Sequence, residues 1–444
     1  MRAHFNSRRQ SGVTLIELMV AMVLGLLVAG GIVTVFSSTS SSNKAQTQLA
    51  RLQEEGRFAI TRLTNDLRMA NGQYCSGTGG AASNAGSNNL YMDGLRAPKV
   101  YAKNLLGAMH DVSTAWGAPP YPAAPTAPYY LPAFLAMRGY DCSQTGCLPI
   151  DPHSAVPAIP AKGTAVGDRV VGSDVLTMRY MDSSRGWDLD GVTTKTTVDA
   201  TEKLTSITVV PKTGEPAFSE FGAGDLAMLA DCSNAQVFAV SPAGGVLTVD
   251  ASNNFADSGP INQVPLSAPR VFDLNTDLLT VTYYLQVVDG GNGHTLGALM
   301  RRVNGQSEEI VRGVERLDFL YGVENRDGST RYLDAATVDS RDGGAFNCPA
   351  SVPSADSSAP MVNPVGCMWR AVKSIEVRIL MDGQVPLYTL AANDLRYTYA
   401  GDGNTVPKTP DDSGRAVKPS DQGFDNHMLR REFNALVAVR NYNP

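Results

Sequence analysis

One carboxylate stands inside an otherwise uncharged run near the start of the chain. Val13 to Phe36 holds no charged residue except Glu17, which lies five residues past Gly12. A carboxylate in an apolar helix costs on the order of 2.5–3.5 kcal/mol on insertion scales, so Glu17 must be paired or protonated. The second reactive set is six cysteines, Cys75, Cys142, Cys147, Cys232, Cys348 and Cys367, all beyond the apolar run. An even number in an exported chain points to disulfides. Six cysteines admit many pairings. Cys142 with Cys147 and Cys348 with Cys367 are close in sequence, which leaves Cys75 with Cys232 to tie a helix end to the sheet.

Other chemistry is scarce. There is no CxxC, and five His in the whole chain leave little for a zinc site. Asp188-Leu189-Asp190-Gly191 and Asn325-Arg326-Asp327-Gly328 look like pieces of calcium loops, but neither continues to the closing acidic residue. Turn formation accounts for them better, because Asp and Asn side chains favour turns. No G-x-S-x-G, H-E-x-x-H or phosphate-loop lysine occurs, and Gly291, Gly293 and Gly297 lack the dinucleotide spacing. The chain reads as noncatalytic, with no metal and no cofactor. A net charge of −6 argues against direct nucleic-acid binding.

The element that positions Glu17 is a membrane helix. At about 1.5 Å per residue, the Val13–Phe36 run matches a hydrocarbon core of roughly 30 Å. Arg2, Arg8 and Arg9 precede it, which places the N-terminus in the cytoplasm and exports everything after Phe36. A cleaved secretory signal has a shorter apolar core and a small-residue cut site after it. Neither is present, so the plain reading is a signal anchor.

Ser11-Gly12-Val13-Thr14-Leu15-Ile16-Glu17-Leu18 also resembles the prepilin signal of type IV pilins and type II secretion pseudopilins. That pattern is a Gly, a hydrophobic first mature residue and Glu at mature position five. The resemblance implies that a membrane-embedded prepilin peptidase removes residues 1–12 by cutting between Gly12 and Val13, then methylates the Val13 amine. Val replaces the commoner Phe. In the family these helices pack side by side in a filament, where Glu17 of one subunit neutralises the amine of a neighbour. Such a pair specifies register more than it adds stability.

Beyond the Ser-rich Ser37–Ser42 stretch, Leu49, Leu52, Ala59, Leu63, Leu67 and Ala70 recur at helical spacing between charged residues. The spacing predicts one helix from Val13 to about Ala70, ending at Asn71-Gly72, within a segment 13–72. Gly25, Gly30, Gly31 and Gly56 are places for it to bend.

Residues 73–444 form the exported head. The chain's 42 Gly and 26 Pro make loops plentiful. Residues 77–90 read as a flexible loop, and a Pro-rich insertion spans about 117–160. Strand-like segments follow at Val175–Met181, Leu204–Val210, Leu226–Leu229, Val237–Val240, Leu279–Val288, Ala298–Val303, Glu308–Val311, Val314–Val323 and Ala371–Met381. Asn304-Gly305 is a hairpin signal. The expected fold is α+β: a long N-terminal helix, transmembrane then amphipathic, packed on a large antiparallel-sheet head with loop insertions, as in type IV pilins.

Later patches strengthen the resemblance. Gly224-Asp225-Leu226 to Val240, Leu279–Tyr284, Leu299-Met300-Arg301-Arg302 and Ile310 to Leu317 resemble large PilW-type minor pilins. Leu429-Arg430-Arg431-Glu432-Phe433 to Ala438-Val439-Arg440-Asn441 resembles that class's closing strand. The resemblance implies a noncatalytic subunit of a priming or tip complex. Its partners would be other minor pilins (FimU, PilV, PilX and PilE types), the major pilin, a PilY-type tip adhesin, the prepilin peptidase and the inner-membrane assembly platform. It would sit in the inner membrane with a periplasmic head before assembly and in the extracellular pilus afterwards. The alternatives are a J-type pseudopilin of type II secretion and a signal-anchored periplasmic enzyme or binding protein.

Overall fold

The computed structural model describes residues 12–70, 72, 74, 97–110, 123–154, 159–231, 235–255, 260, 268–324, 329–343 and 366–439. Residues 1–11, Cys75, Cys232, Cys348, the 77–90 loop, Asn325 to Gly328, the Arg440-Asn441 ending and parts of the Pro-rich stretch lie outside them.

A single helix runs from Leu15 to Leu67, 53 residues, which at about 1.5 Å rise is roughly 80 Å long. Thr14 caps it. The Thr14 hydroxyl accepts the Glu17 N–H at 3.3 Å, and the Glu17 carboxylate accepts the Thr14 N–H at 2.9 Å. This reciprocal box satisfies two otherwise unpaired donors. The helix does not break at Gly25, Gly30 or Gly31. Gly56 serves close approach instead: a Cβ there would lie 2.4 Å from the Phe433 ring. Any larger side chain would require the Phe433 ring or the helix to shift.

Burial begins only in the second half. Gln48, Leu52, Gly56, Ala59, Leu63, Asp66 and Leu67 are buried, a spacing of three and four that puts them on one face. Leu49, expected on that stripe, is 42% exposed, and Gln48 takes the inward position.

Among the described residues the head holds three sheets, largely antiparallel as expected. A four-stranded antiparallel sheet runs in the order Thr330–Leu333, Val314–Glu324, Val372–Asp382, Arg430–Ala438. The helix lies across its last two strands. An eight-stranded sheet is centred on Val175–Met181, Leu278–Gly291, His294–Val303 and Gln306–Arg312, all antiparallel. Val303 pairs with Gln306, leaving the two-residue loop Asn304-Gly305 with φ of 45° and 85°. Both are left-handed, the geometry that matches the twist of a tight hairpin.

A nine-stranded sheet, including Leu226–Ala230 and Ala235–Ala243, makes up the rest. Its Leu226–Ala230 strand is buried on both faces. Met228 and Ala230 join the main core with Leu63, Leu67 and Phe319, while Ala227 and Leu229 join a second core around Trp187, Ile207 and Phe238. This sheet therefore carries a second core of its own, built in part from the strand-like segments near Leu204, Leu226 and Val237.

Candidate functional site

The surface that can join other molecules is the first half of the helix. Every residue from Gly12 to Thr39 is exposed, including Val13 at 72% and Phe36 at 75%. Leu15–Leu67 is long and apolar enough to cross a membrane, and its apolar window is nowhere covered by the chain itself. In the free chain Glu17 is engaged only locally, with the Thr14 N–H and hydroxyl, both at 2.9 Å.

The second half of the helix fixes the head to this surface, and two buried ionic clusters do so. Asp66 is 6% exposed in the helix's last turn and receives hydrogen bonds from the Tyr283 hydroxyl at 2.7 Å, the Tyr180 hydroxyl at 3.3 Å and Arg301 Nε at 2.6 Å. Burial, with the Asp66 charge beside it, pushes the Tyr180 phenol up to about 12 and that of Tyr283 higher, so both remain donors. Arg301 reaches on to Glu308 at 2.9 Å, which also meets Arg62 of the helix at 3.5 Å. Sequence reasoning missed Asp66. Its signal was an acid in register with Leu63 and Leu67 on the apolar face.

The second cluster lies at one end of the four-stranded sheet, where Val314–Glu324 and Arg430–Ala438 begin and Val372–Asp382 ends. Glu315 and Arg430 form a two-point pair at 2.7 and 2.8 Å with both side chains buried. Asp382 lies beside them, with the Gln384 N–H on its carboxyl at 2.6 Å. Gln384 in turn donates to Glu55 of the helix and to the Arg312 carbonyl. Burial drives the Asp382 carboxyl up to about 8, reinforced by the Glu315 charge and opposed by Arg430. A native pKa above the ordinary 3.8 means the folded state binds more protons than the unfolded one between about pH 4 and 8. This contribution to stability therefore falls as pH rises across that window, on the order of a kcal/mol per pH unit. Asp382→Asn should flatten the decline, measured as the urea midpoint from pH 5 to 8. An unchanged pH profile would show that Asp382 is ionised throughout.

Cys142 and Cys147 form a disulfide with an S–S distance of 2.06 Å, as expected. Arg169 lies against its sulfurs at 3.3 and 3.5 Å and pairs with Asp151 at 3.0 Å. Cys367 is also disulfide-bonded. The Asp190 carboxylate is spent on a turn. It accepts from the N–H groups of Val192, Thr193 and Thr194 at 2.8–3.0 Å, and the Thr193 hydroxyl with these donors holds it well below its ordinary range. Among the described residues no group of three or more His, Cys, Asp or Glu is placed to hold a metal ion.

Two family models match the chain at opposite ends. Residues 7–33, which include Gly12, Val13 and Glu17, match the prokaryotic N-terminal methylation motif. Residues 282–441, which include Arg301, Glu315 and Arg430, match the type IV pilus-assembly protein W family. No curated protein and no solved structure matches. A methylation motif leads the exposed apolar helix, and a W-family match lies over the sheets that grip that helix, so at both ends the chain is similar to type IV pilus-related pilins of the PilW type.

Proposed function

We propose that the chain is a noncatalytic minor pilin that helps to prime pilus assembly and stays at or near the tip. Prepilin peptidase would remove residues 1–12 and methylate Val13. The subunit would wait in the inner membrane with its head, residues 73–444, in the periplasm. It would then join other minor pilins and the major pilin, with a PilY-type adhesin above and the assembly platform below.

The observation that carries this reading is the division of one helix: apolar through Phe36 and wholly exposed through Thr39, then buried on one face from Gln48 onward. An apolar face that the chain does not cover suits lipid first and neighbouring helices later. The large head supports a tip position, because the crowded shaft leaves less room for it. Cells lacking this chain should make normal amounts of major pilin yet show almost no surface pili, with recovery on re-expression. Normal piliation would overturn the priming role, and a defect confined to protein secretion would assign the chain to a pseudopilus.

A further inference from the structure

Residues 383–393 of the head, Gly-Gln-Val-Pro-Leu-Tyr-Thr-Leu-Ala-Ala-Asn, contain no charged side chain. They follow the Val372–Asp382 strand and form a surface loop with Tyr388 69% and Val385 45% exposed. Ala391 and Ala392 are exposed as well. An apolar stretch open to water at one place on the surface calls for a partner.

The loop's position indicates which partner. The Thr389 hydroxyl meets the Ser41 hydroxyl at 2.7 Å, ahead of the first buried helix residue, Gln48. A groove between helix and loop runs from Ser42 back to Thr34, with Thr389 and Leu390 on the loop side. Thr34 lies within the apolar run that ends at Phe36, so the loop overhangs the point where the helix leaves hydrocarbon. Ser41 is about 7.5 Å beyond Phe36 along the axis at 1.5 Å per residue. The polar zone on each face of a bilayer is roughly 5–8 Å deep. Thr389 therefore stands at headgroup level.

The loop is also preformed. The Leu387 N–H bonds the His427 carbonyl at 2.7 Å, and the Leu390 N–H bonds the Leu387 carbonyl at 3.0 Å. The Tyr388 ring lies 4.9 Å from the His427 ring, with its hydroxyl on Asp425 at 2.7 Å. One edge is thereby anchored and the rest left open. Tyrosine with an apolar body and a bonded polar tip is the residue type enriched at membrane–water interfaces.

We propose that residues 385–392 are a membrane foot: while the subunit is anchored, Val385, Tyr388 and Leu390 rest in the interfacial layer of the phospholipid bilayer beside the helix exit. The contact sets the head's tilt over the membrane before assembly. With no Lys or Arg in the loop, it works through apolar and aromatic contact and is insensitive to salt. The inference rests on the membrane-anchored reading of the helix.

The test uses the full chain in phosphatidylethanolamine–phosphatidylglycerol vesicles carrying a lipid brominated near the glycerol backbone. Emission is compared with wild type for Tyr388→Trp, Phe36→Trp and Val192→Trp, the last on an exposed turn next to the nine-stranded sheet. The proposal expects the added emission of Tyr388→Trp and Phe36→Trp to be quenched and that of Val192→Trp to persist, at low and high salt alike. Quenching of Phe36→Trp without Tyr388→Trp would overturn the foot and leave the anchor standing. No quenching of Phe36→Trp would defeat the anchor and the foot together. Quenching of Tyr388→Trp that disappears as protein density rises would assign the loop to a second copy of the chain instead.

Discussion

Replacing Arg430 with Met should unfold the head more readily than any other single change considered, at a cost of about 3–5 kcal/mol. All five guanidinium donors are used. Nε and Nη2 hold Glu315 at 2.7 and 2.8 Å, Nη1 donates to the Asn426 and Met428 carbonyls, and Nη2 also reaches the Asp425 carbonyl. Met fills the stem's volume but leaves a buried carboxylate without its cation and three carbonyls without donors. The pair itself contributes less than its removal costs, because both ions were stripped of water to form it. Arg430→Met with Glu315→Leu should therefore recover most of the loss. Urea unfolding of the detergent-solubilised chain reads both numbers. A loss under about 1 kcal/mol for Arg430→Met would mean that water reaches Glu315 and the cluster is not closed.

Glu17→Ala should leave the protein in the membrane and remove it from pili. Losing the carboxylate makes insertion easier by on the order of 2.5–3.5 kcal/mol. It also removes one arm of the cap on Thr14, worth about 1 kcal/mol to the first turn. Neither change should lower the membrane level. In a filament, however, the methylated Val13 amine of a neighbour would lie in a low-dielectric layer with no counter-charge. The expected result is wild-type abundance in membranes and none in the sheared pilus fraction. Glu17→Gln keeps the hydrogen-bonding shape without the charge and should behave like Glu17→Ala. Full incorporation of either variant would contradict the charge-pairing account.

The parts of the fold that local pattern controls were legible in the sequence. The Leu15–Leu67 helix follows from its apolar run and helical period, and Val175–Met181 and the Asn304-Gly305 hairpin follow from residue type and turn chemistry. The grouping of strands into three sheets was not legible, because it depends on long-range register. Both faces of Leu226–Ala230 are buried, so its residues show no alternation to read. Gly56 looked like a bend because glycine weakens helices, while its role is set by Phe433, far along the chain. The pairings of Asp66, Glu315 and Arg430 left no local signal for the same reason: their partners are distant in sequence. The N-terminal motif was the most readable feature, since its chemistry is carried by neighbouring residues.

That motif is also where the account is most directly tested. Intact-mass and N-terminal peptide analysis of the membrane-extracted protein should find a chain starting at methylated Val13, and an unprocessed chain in cells lacking prepilin peptidase. A terminus at Met1 in normal cells, or one beyond Phe36, would contradict assembly through the helix and leave an anchored or released periplasmic protein.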